Sequence, residues 1–329
     1  GLDSLTFISK NLRIINNSIL NNLDHVLKVD SVGGSLMIGS NDELTDLDSL
    51  INIQKVDSIL SISYNKSLQN LNGLNNINRL TGDLIIKGND NLQSLSGLDN
   101  LNCVGNNIII NYNNNLINLE HLSSLDTIGK DLEIHENSIM TSFSGLSHLT
   151  FIGGGITIRG NTLLSNIDSL NFNVNKLNFL EIVENPILSN ISTFENLDSI
   201  FCDLRLWNNN ELKNLNGLQN INFIGGDLDI FNNDKLKSLV GLNSLIRVLN
   251  DCRVSSCDSL NYLFGLNNLE YIGNNFSINN CDELLTIQDV SILETIGNHL
   301  MLTDNGRIKN LNGLATVGPA IGDLYIRDC

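Results

Sequence analysis

Residues 81–104 read TGDLIIKGNDNLQSLSGLDNLNCV, and the spacing within this stretch decides the fold. Leu84 and Ile86 stand two apart, Asn89 follows, and Leu92, Leu95, Leu98, Leu101 and Val104 come at intervals of three. A shift of 24 residues in either direction finds the same unit. Asn17, Asn41, Asn65, Asn89, Asn113, Asn137, Asn161, Asn185, Asn209 and Asn233 are all 24 apart, and Cys257, Cys281, Asn305 and Cys329 continue the series. These fourteen rungs contain no net insertion or deletion. A fixed period of this size marks a solenoid, in which each repeat buries its apolar side against the next.

Two apolar columns open each rung. The first runs through Leu36, Leu60, Leu84, Ile108 and Leu132, and the second, two residues on, through Ile38, Ile62, Ile86, Ile110 and Ile134. Period two means a short strand with its apolar side chains inward, and one strand per rung gives a parallel sheet with neighbours ~4.8 Å apart. The period of three that follows (Leu44, Leu47, Leu50, Ile53, Val56) suits short extended or 3₁₀ segments joined by corners. An amphipathic α-helix would drift off that spacing within two turns. The chain is therefore expected to be an all-β parallel β-solenoid of about 14 rungs, one continuous domain over 1–329. Glycines recur at two corners, Gly105, Gly129 and Gly153 at one and Gly73, Gly97 and Gly145 at the other. Both places call for positive φ or close backbone approach. Between Leu170 and Leu180 the segment NFNVNKLNF puts Asn173 and Lys176 where apolar residues are expected. A local shift is anticipated over 171–179. The Asn column reads as buried amides bonding to their own turn and a neighbouring rung, with cysteine tolerated in the same place.

Composition narrows the function. A net charge of −17 excludes nucleic acid as a partner, because phosphate binding needs a basic face. A cationic ligand or Ca²⁺ is compatible with it. No apolar run approaches the ~18 residues that span a bilayer, so no membrane insertion is expected of this segment. Gly1, Leu2 and Leu5 open the chain in mid-repeat, and the last turn carries Pro319 in VGPAI. Capping residues outside 1–329, or head-to-tail self-association of the open ends, are expected.

The pattern L-x-I-x-x-N-x-x-L-x-x-L-x-G-L-x-x-L-x-x-I-G-G resembles leucine-rich repeats. It is most similar to the receptor L-domain type found in growth-factor and insulin receptor ectodomains and in protist and bacterial surface proteins. The resemblance covers the whole chain. It implies a right-handed β-solenoid used for extracellular or cell-surface recognition and adhesion, and transfers no ligand-binding residue.

The outward strand positions are the natural binding face. One column runs His135, Arg159, Val183, Trp207, Phe231, placing the single Trp one rung from a Phe. Exposed aromatics on a rigid sheet suit protein or glycan contact, although such residues also pack on one another across rungs. The column Glu181, Arg205, Asp229, Arg253 alternates in sign and predicts a salt-bridge ladder. Beside it Asp203, Asp227 and Asp251 stack as like charges, which requires solvent, the arginines or a cation to screen them. The candidate binding set is His135, Arg159, Arg205, Trp207 and Phe231.

Catalysis finds little support. His25, His121, His135, His148 and His299 scatter around the rung, and neither a Ser/His/Asp column nor a zinc spacing appears. No cofactor or metal is assigned. Cys257 and Cys281 lie on adjacent rungs, where a Cα spacing of ~4.8 Å permits a disulfide, though inward thiols can equally stay reduced. N-x-S/T sequons begin at Asn16, Asn65, Asn190 and Asn275; Asn65 belongs to the buried column, Asn190 is the best acceptor, and Asn16 and Asn275 are next. The leading reading is a non-enzymatic extracellular recognition and adhesion module. The alternatives are a structural protein forming end-to-end fibres and a polysaccharide-active β-solenoid enzyme.

Overall fold

The computed structural model describes residues 2, 4–26, 28–170, 174–318 and 321–329. Gly1, Asn173 and Pro319 lie outside the described residues. Two compact units form, Gly1–Phe172 and Asn173–Cys329, where the unbroken period leads to one domain. The division falls in the irregular segment, whose residues 171–173 are also outside the described ones.

Unit 1 stacks seven four-residue strands, Leu12–Ile15, Leu36–Gly39, Leu60–Ser63, Leu84–Lys87, Ile108–Asn111, Leu132–His135 and Ile156–Arg159. All are parallel and in 24-residue register, so that Leu84 faces Ile108 and Lys87 faces Asn111. Two-residue strands such as Arg79–Leu80 and Cys103–Val104 form a second parallel sheet. Unit 2 repeats the plan with Leu180–Val183, Leu204–Trp207, Leu228–Phe231, Cys252–Ser255, Phe276–Asn279, Leu300–Thr303 and Leu324–Arg327. The helices among the described residues are three-residue 3₁₀ turns, for example Asp48–Leu50 and Gln288–Val290. The period of three thus becomes corners and not helix. Each unit is an all-β parallel β-solenoid.

The alternating pattern buries what the sequence assigns to the core. Leu84, Ile86, Leu92, Leu98, Leu101 and Val104 are all 0% exposed, and each such side chain contributes roughly 1.5–3 kcal/mol. That burial comes from the rungs on both sides: Leu324, with a paired strand on one side, is 55% exposed. At the irregular segment the short strand slips by one. Leu177 pairs with Ile200, a separation of 23, and Leu180 returns to 24 by pairing with Leu204. Lys176 consequently points outward and Leu177 fills the inward place.

Two ladders of side-chain hydrogen bonds bracket each strand. On its C-terminal side stands the Asn column. The Asn113 backbone N–H donates to Asn137 Oδ1 (3.0 Å), while its Nδ2 donates to the carbonyls of Ile86 (2.9 Å) and Asn111 (3.1 Å). Asn41 through Asn161, Asn185, Asn209, Asn233 and Asn305 are all 0% exposed. On the N-terminal side a second ladder runs the opposite way. Asp83 Oδ1 accepts the Asn107 N–H (3.0 Å), Asn107 Oδ1 accepts that of Asp131 (3.1 Å), and Asp131 Oδ1 accepts that of Gly155 (2.8 Å). Together they satisfy backbone donors and acceptors that the corners would otherwise strand in the interior.

The glycine corners differ in kind. Gly97 has φ +110°, and a Cβ there would lie 2.0 Å from the Leu71 carbonyl oxygen. Gly129 keeps an ordinary φ but a Cβ would lie 1.9 Å from the Gly105 carbonyl oxygen, so close approach alone requires it. The most regular left-handed position is neither of these. It is the residue before each ladder position, and it is filled by Gly88 and Gly160 but also by Tyr64, Tyr112, Glu136, Asn208 and Ser256.

Candidate recognition face

In unit 2 the outward residues of the strands Leu180–Val183 to Cys252–Ser255 form a charged and aromatic surface. Trp207 pairs directly with Phe231, which is 39% exposed, and with Val183, which is buried. The Arg205 guanidinium lies 5.8 Å from the Trp207 ring centroid. Arg205 also bonds to Glu181 on the rung before and to Asp203 on its own rung (2.6 Å). Burial pulls the Arg205 pKa down, but the Glu181 hydrogen bond and the charges of Asp203 and Glu181 outweigh it and leave it raised. Arg253 gathers three carboxylates, Asp227 at 3.4 Å, Asp229 at 3.6 Å, and Asp251.

The alternating column therefore forms in part. Arg205 turns back to Glu181, and it is Arg253 that meets Asp229. The stacked aspartates have a structural cause. Asp203, Asp227 and Asp251 continue the N-terminal ladder, their Oδ1 atoms accepting the N–H groups of Asp227 (2.8 Å), Asp251 (3.2 Å) and Asn275 (2.9 Å). Their Oδ2 atoms take the arginines. Backbone amides and guanidinium groups supply the screening that the like-charge stack needs. Among the described residues no group of three His, Cys, Asp or Glu side chains is placed to hold a metal ion. Asp229 is 9% exposed, and its carboxyl is pushed up by burial against the pull of Arg253. The Trp207 indole N–H is directed at that carboxylate but falls short of full hydrogen-bond geometry.

In unit 1, His135 and Arg159 stand opposite each other on adjacent strands, His135 half-buried and Arg159 exposed. The structure thus brings together His135 with Arg159, and separately Arg205, Trp207 and Phe231. A further pair escapes the sequence reading. Tyr64 and Tyr112 occupy the left-handed position on either side of Gly88, are 48% and 49% exposed, and flank Lys87. Their 24-residue spacing from Gly88 is visible in the sequence; the signal lies in a column outside the strand.

Two histidines pair with aspartates. His121 Nδ1 lies 2.6 Å from Asp99 Oδ1, and burial of Asp99 is outweighed by this bond and the Gly97 N–H, which hold its carboxyl low. The nearby Ser124 hydroxyl donates to the Asp99 backbone carbonyl (2.5 Å), so no nucleophile–base–acid chain is assembled there. His299 Nδ1 accepts the Asp323 N–H (2.8 Å) and serves as a ladder rung.

Among the sequons, Asn16 is exposed in the left-handed region at φ 62°. Asn190 is half-buried, its Oδ1 accepting the Ser192 N–H (2.8 Å). Asn275 belongs to the N-terminal ladder: its Nδ2 donates to Asp251 Oδ1 (2.9 Å) and its Oδ1 accepts the His299 N–H (3.1 Å). A glycan on that nitrogen would break the rung, which argues against this acceptor. The disulfide permitted between Cys257 and Cys281 is not formed; both are free and buried. Each thiol instead turns to a carbonyl of its own turn, Ser255 or Asn279, at 3.5 Å. Burial pushes Cys257 up to about 12 and Cys281 up to about 11.

The strict repeat, the parallel four-residue strands and the buried asparagine ladder define leucine-rich-repeat solenoid architecture. No protein-family model and no curated protein matches the chain. Among solved structures it is similar to an internalin from Listeria monocytogenes, at 17% identity and a TM-score of 0.43, over 93% of this chain and 76% of that one. No helix among the described residues is long and apolar enough to cross a membrane.

Proposed function

We propose that this chain is a non-enzymatic recognition and adhesion module of the cell surface or extracellular space. It binds a protein or glycan through the outward face of its strands. The observation that carries the reading is the group Arg205, Trp207 and Phe231 on adjoining strands of unit 2. There an indole and a phenyl ring are held on a rigid sheet beside arginines that their own ion pairs fix in place. Aromatic and arginine side chains pre-positioned at low entropic cost are the usual anchors of binding surfaces. His135 and Arg159 supply a further outward pair in unit 1. Asn190 and Asn16 are the proposed glycan acceptors, Asn16 being the exposed one of the two.

Binding of the labelled protein to arrays of glycans and of extracellular proteins tests this reading. The expected result is a specific signal that Trp207→Ala abolishes while the variant still unfolds cooperatively. Turnover of an acidic polysaccharide, or a signal indifferent to Trp207 and Phe231, would overturn it.

A further inference from the structure

Fourteen positions precede a ladder residue, and all have positive φ. Twelve are glycine or small or polar residues; Tyr64 and Tyr112, at φ 59° and 58°, are the two bulky ones. The corner imposes this conformation on every rung, so the two tyrosines stand out by their size and not by their backbone. The two tyrosines are two rungs apart, ~9.6 Å along the stack. The rung between them has Gly88, where a Cβ would fall 2.6 Å from the Tyr64 ring. The tyrosine ring therefore lies over the glycine, and any side chain at 88 would displace it.

Between the rings stands Lys87, its Nζ 5.7 Å from one centroid and 5.9 Å from the other. Lys55, Lys66 and Lys235 each have a carboxylate partner. Lys87, like Lys130, Lys213 and Lys237, has none among the described residues; what sets it apart is its place over two tyrosine rings. Neither phenol hydroxyl has a hydrogen-bond partner among the described residues. The whole cleft is about 460 Å³, and its remaining lining is Lys66, Asp90 and Asn114, which offer both donors and acceptors.

We propose that this cleft is a carbohydrate site for a sugar ring bearing a carboxylate, such as a uronic acid residue. The apolar face of the ring stacks on tyrosine. Its hydroxyls, which donate and accept, suit the mixed lining better than an apolar peptide side chain would. Its carboxylate meets the Lys87 ammonium, which the two rings hold in place. The net charge of −17 disfavours a densely charged polyanion and selects a glycan with isolated acidic rings. The site is separate from the Trp207 surface, and neither proposal needs the other.

The test is a titration of the isotope-labelled protein, followed by heteronuclear NMR of the tyrosine rings. The probes are methyl β-D-glucuronide, methyl β-D-glucoside and N-acetylglutamate. The glucuronide is expected to saturate the Tyr64 and Tyr112 signals and to bind about tenfold more tightly than the glucoside. Lys87→Gln should erase that difference. Tyr64→Asn with Tyr112→Asn should abolish both interactions while leaving the fold intact, since Asn208 and Asn232 already occupy the equivalent position. Absence of saturable glucuronide binding would overturn the proposal, as would binding that survives the double Asn variant. N-acetylglutamate binding as tightly as the glucuronide would reduce the site to a simple carboxylate contact and also overturn it.

Discussion

The edge and the face of the same strands follow different rules. At the C-terminal edge Asn41, Asn65, Asn89, Asn113 and Asn137 are the same residue making the same bonds, rung after rung. On the face two residues earlier the side chains change at every step, through Ser63, Lys87, Asn111 and His135 in unit 1 and Trp207, Phe231 and Ser255 in unit 2. The edge has one physical task, since buried backbone groups must be satisfied identically in each repeat. The face has no such constraint and is free to vary. Substitutions at the edge should therefore cost stability and spare binding, and substitutions on the face should do the reverse.

The largest effect expected is at the edge. Asn113→Leu removes the side-chain bonds to the Ile86 and Asn111 carbonyls and the acceptor of the buried Asn89 N–H, and should cost roughly 1–3 kcal/mol, read as a lowered denaturant midpoint. The exposed neighbour change Asn114→Ser should leave it unmoved. Equal effects of the two would erase the distinction between edge and surface.

Arg253 sharpens the comparison, because it lies on the face yet compensates ladder carboxylates. Arg253→Met leaves Asp227, Asp229 and Asp251 without their cation and should destabilise by about 1–2 kcal/mol, less in high salt because the group is partly exposed. An unchanged thermal midpoint at low ionic strength would show that the ladder amides alone sustain those charges.

The cysteine rungs are a natural break in the edge. Cys257 has no amide to reach the Ile230 carbonyl as Asn233 reaches that of Leu206 (2.8 Å). Cys257→Asn is expected to restore that bond and stabilise unit 2 by about 1 kcal/mol. A loss of stability would mean that the pocket there has closed around the smaller thiol. The thiols also predict a pH dependence. Their folded-state pKa values are raised from 9.0, to about 12 for Cys252 and Cys257 and about 11 for Cys281. Above pH 9 the unfolded chain releases protons that the folded chain retains. Stability should thus be unaffected below pH 9 and fall progressively from there towards pH 12. Replacing all three with uncharged residues should flatten that fall, and an identical alkaline profile would contradict the assignment.

The C-terminal ladder could be read from sequence because nearly every rung uses one residue type at one position. The N-terminal ladder could not, although Asp83, Asn107, Asp131, Asp203, Asp227, Asp251 and Asn275 show the period. Ser35, Ile59, Gly155, Phe179 and His299 interrupt that series, and its aspartates look like surface charge until their backbone partners are seen. The same ambiguity made Asn275 look like a free sequon. Residue types likewise hide the left-handed column, since Tyr, Glu, Ser and Asn share no propensity beyond what the corner imposes. The aromatic face was legible as a column. Which arginine meets which aspartate was not, because side-chain reach across rungs is decided by burial and competing partners.

The most direct test of recognition by the strand face is hydroxyl-radical footprinting of the protein with and without a bound partner taken from the arrays. Protection is expected at Trp207 and Phe231, with the turn around Asn190 unchanged. Protection confined to that turn, with Trp207 and Phe231 equally reactive in both states, would contradict the account.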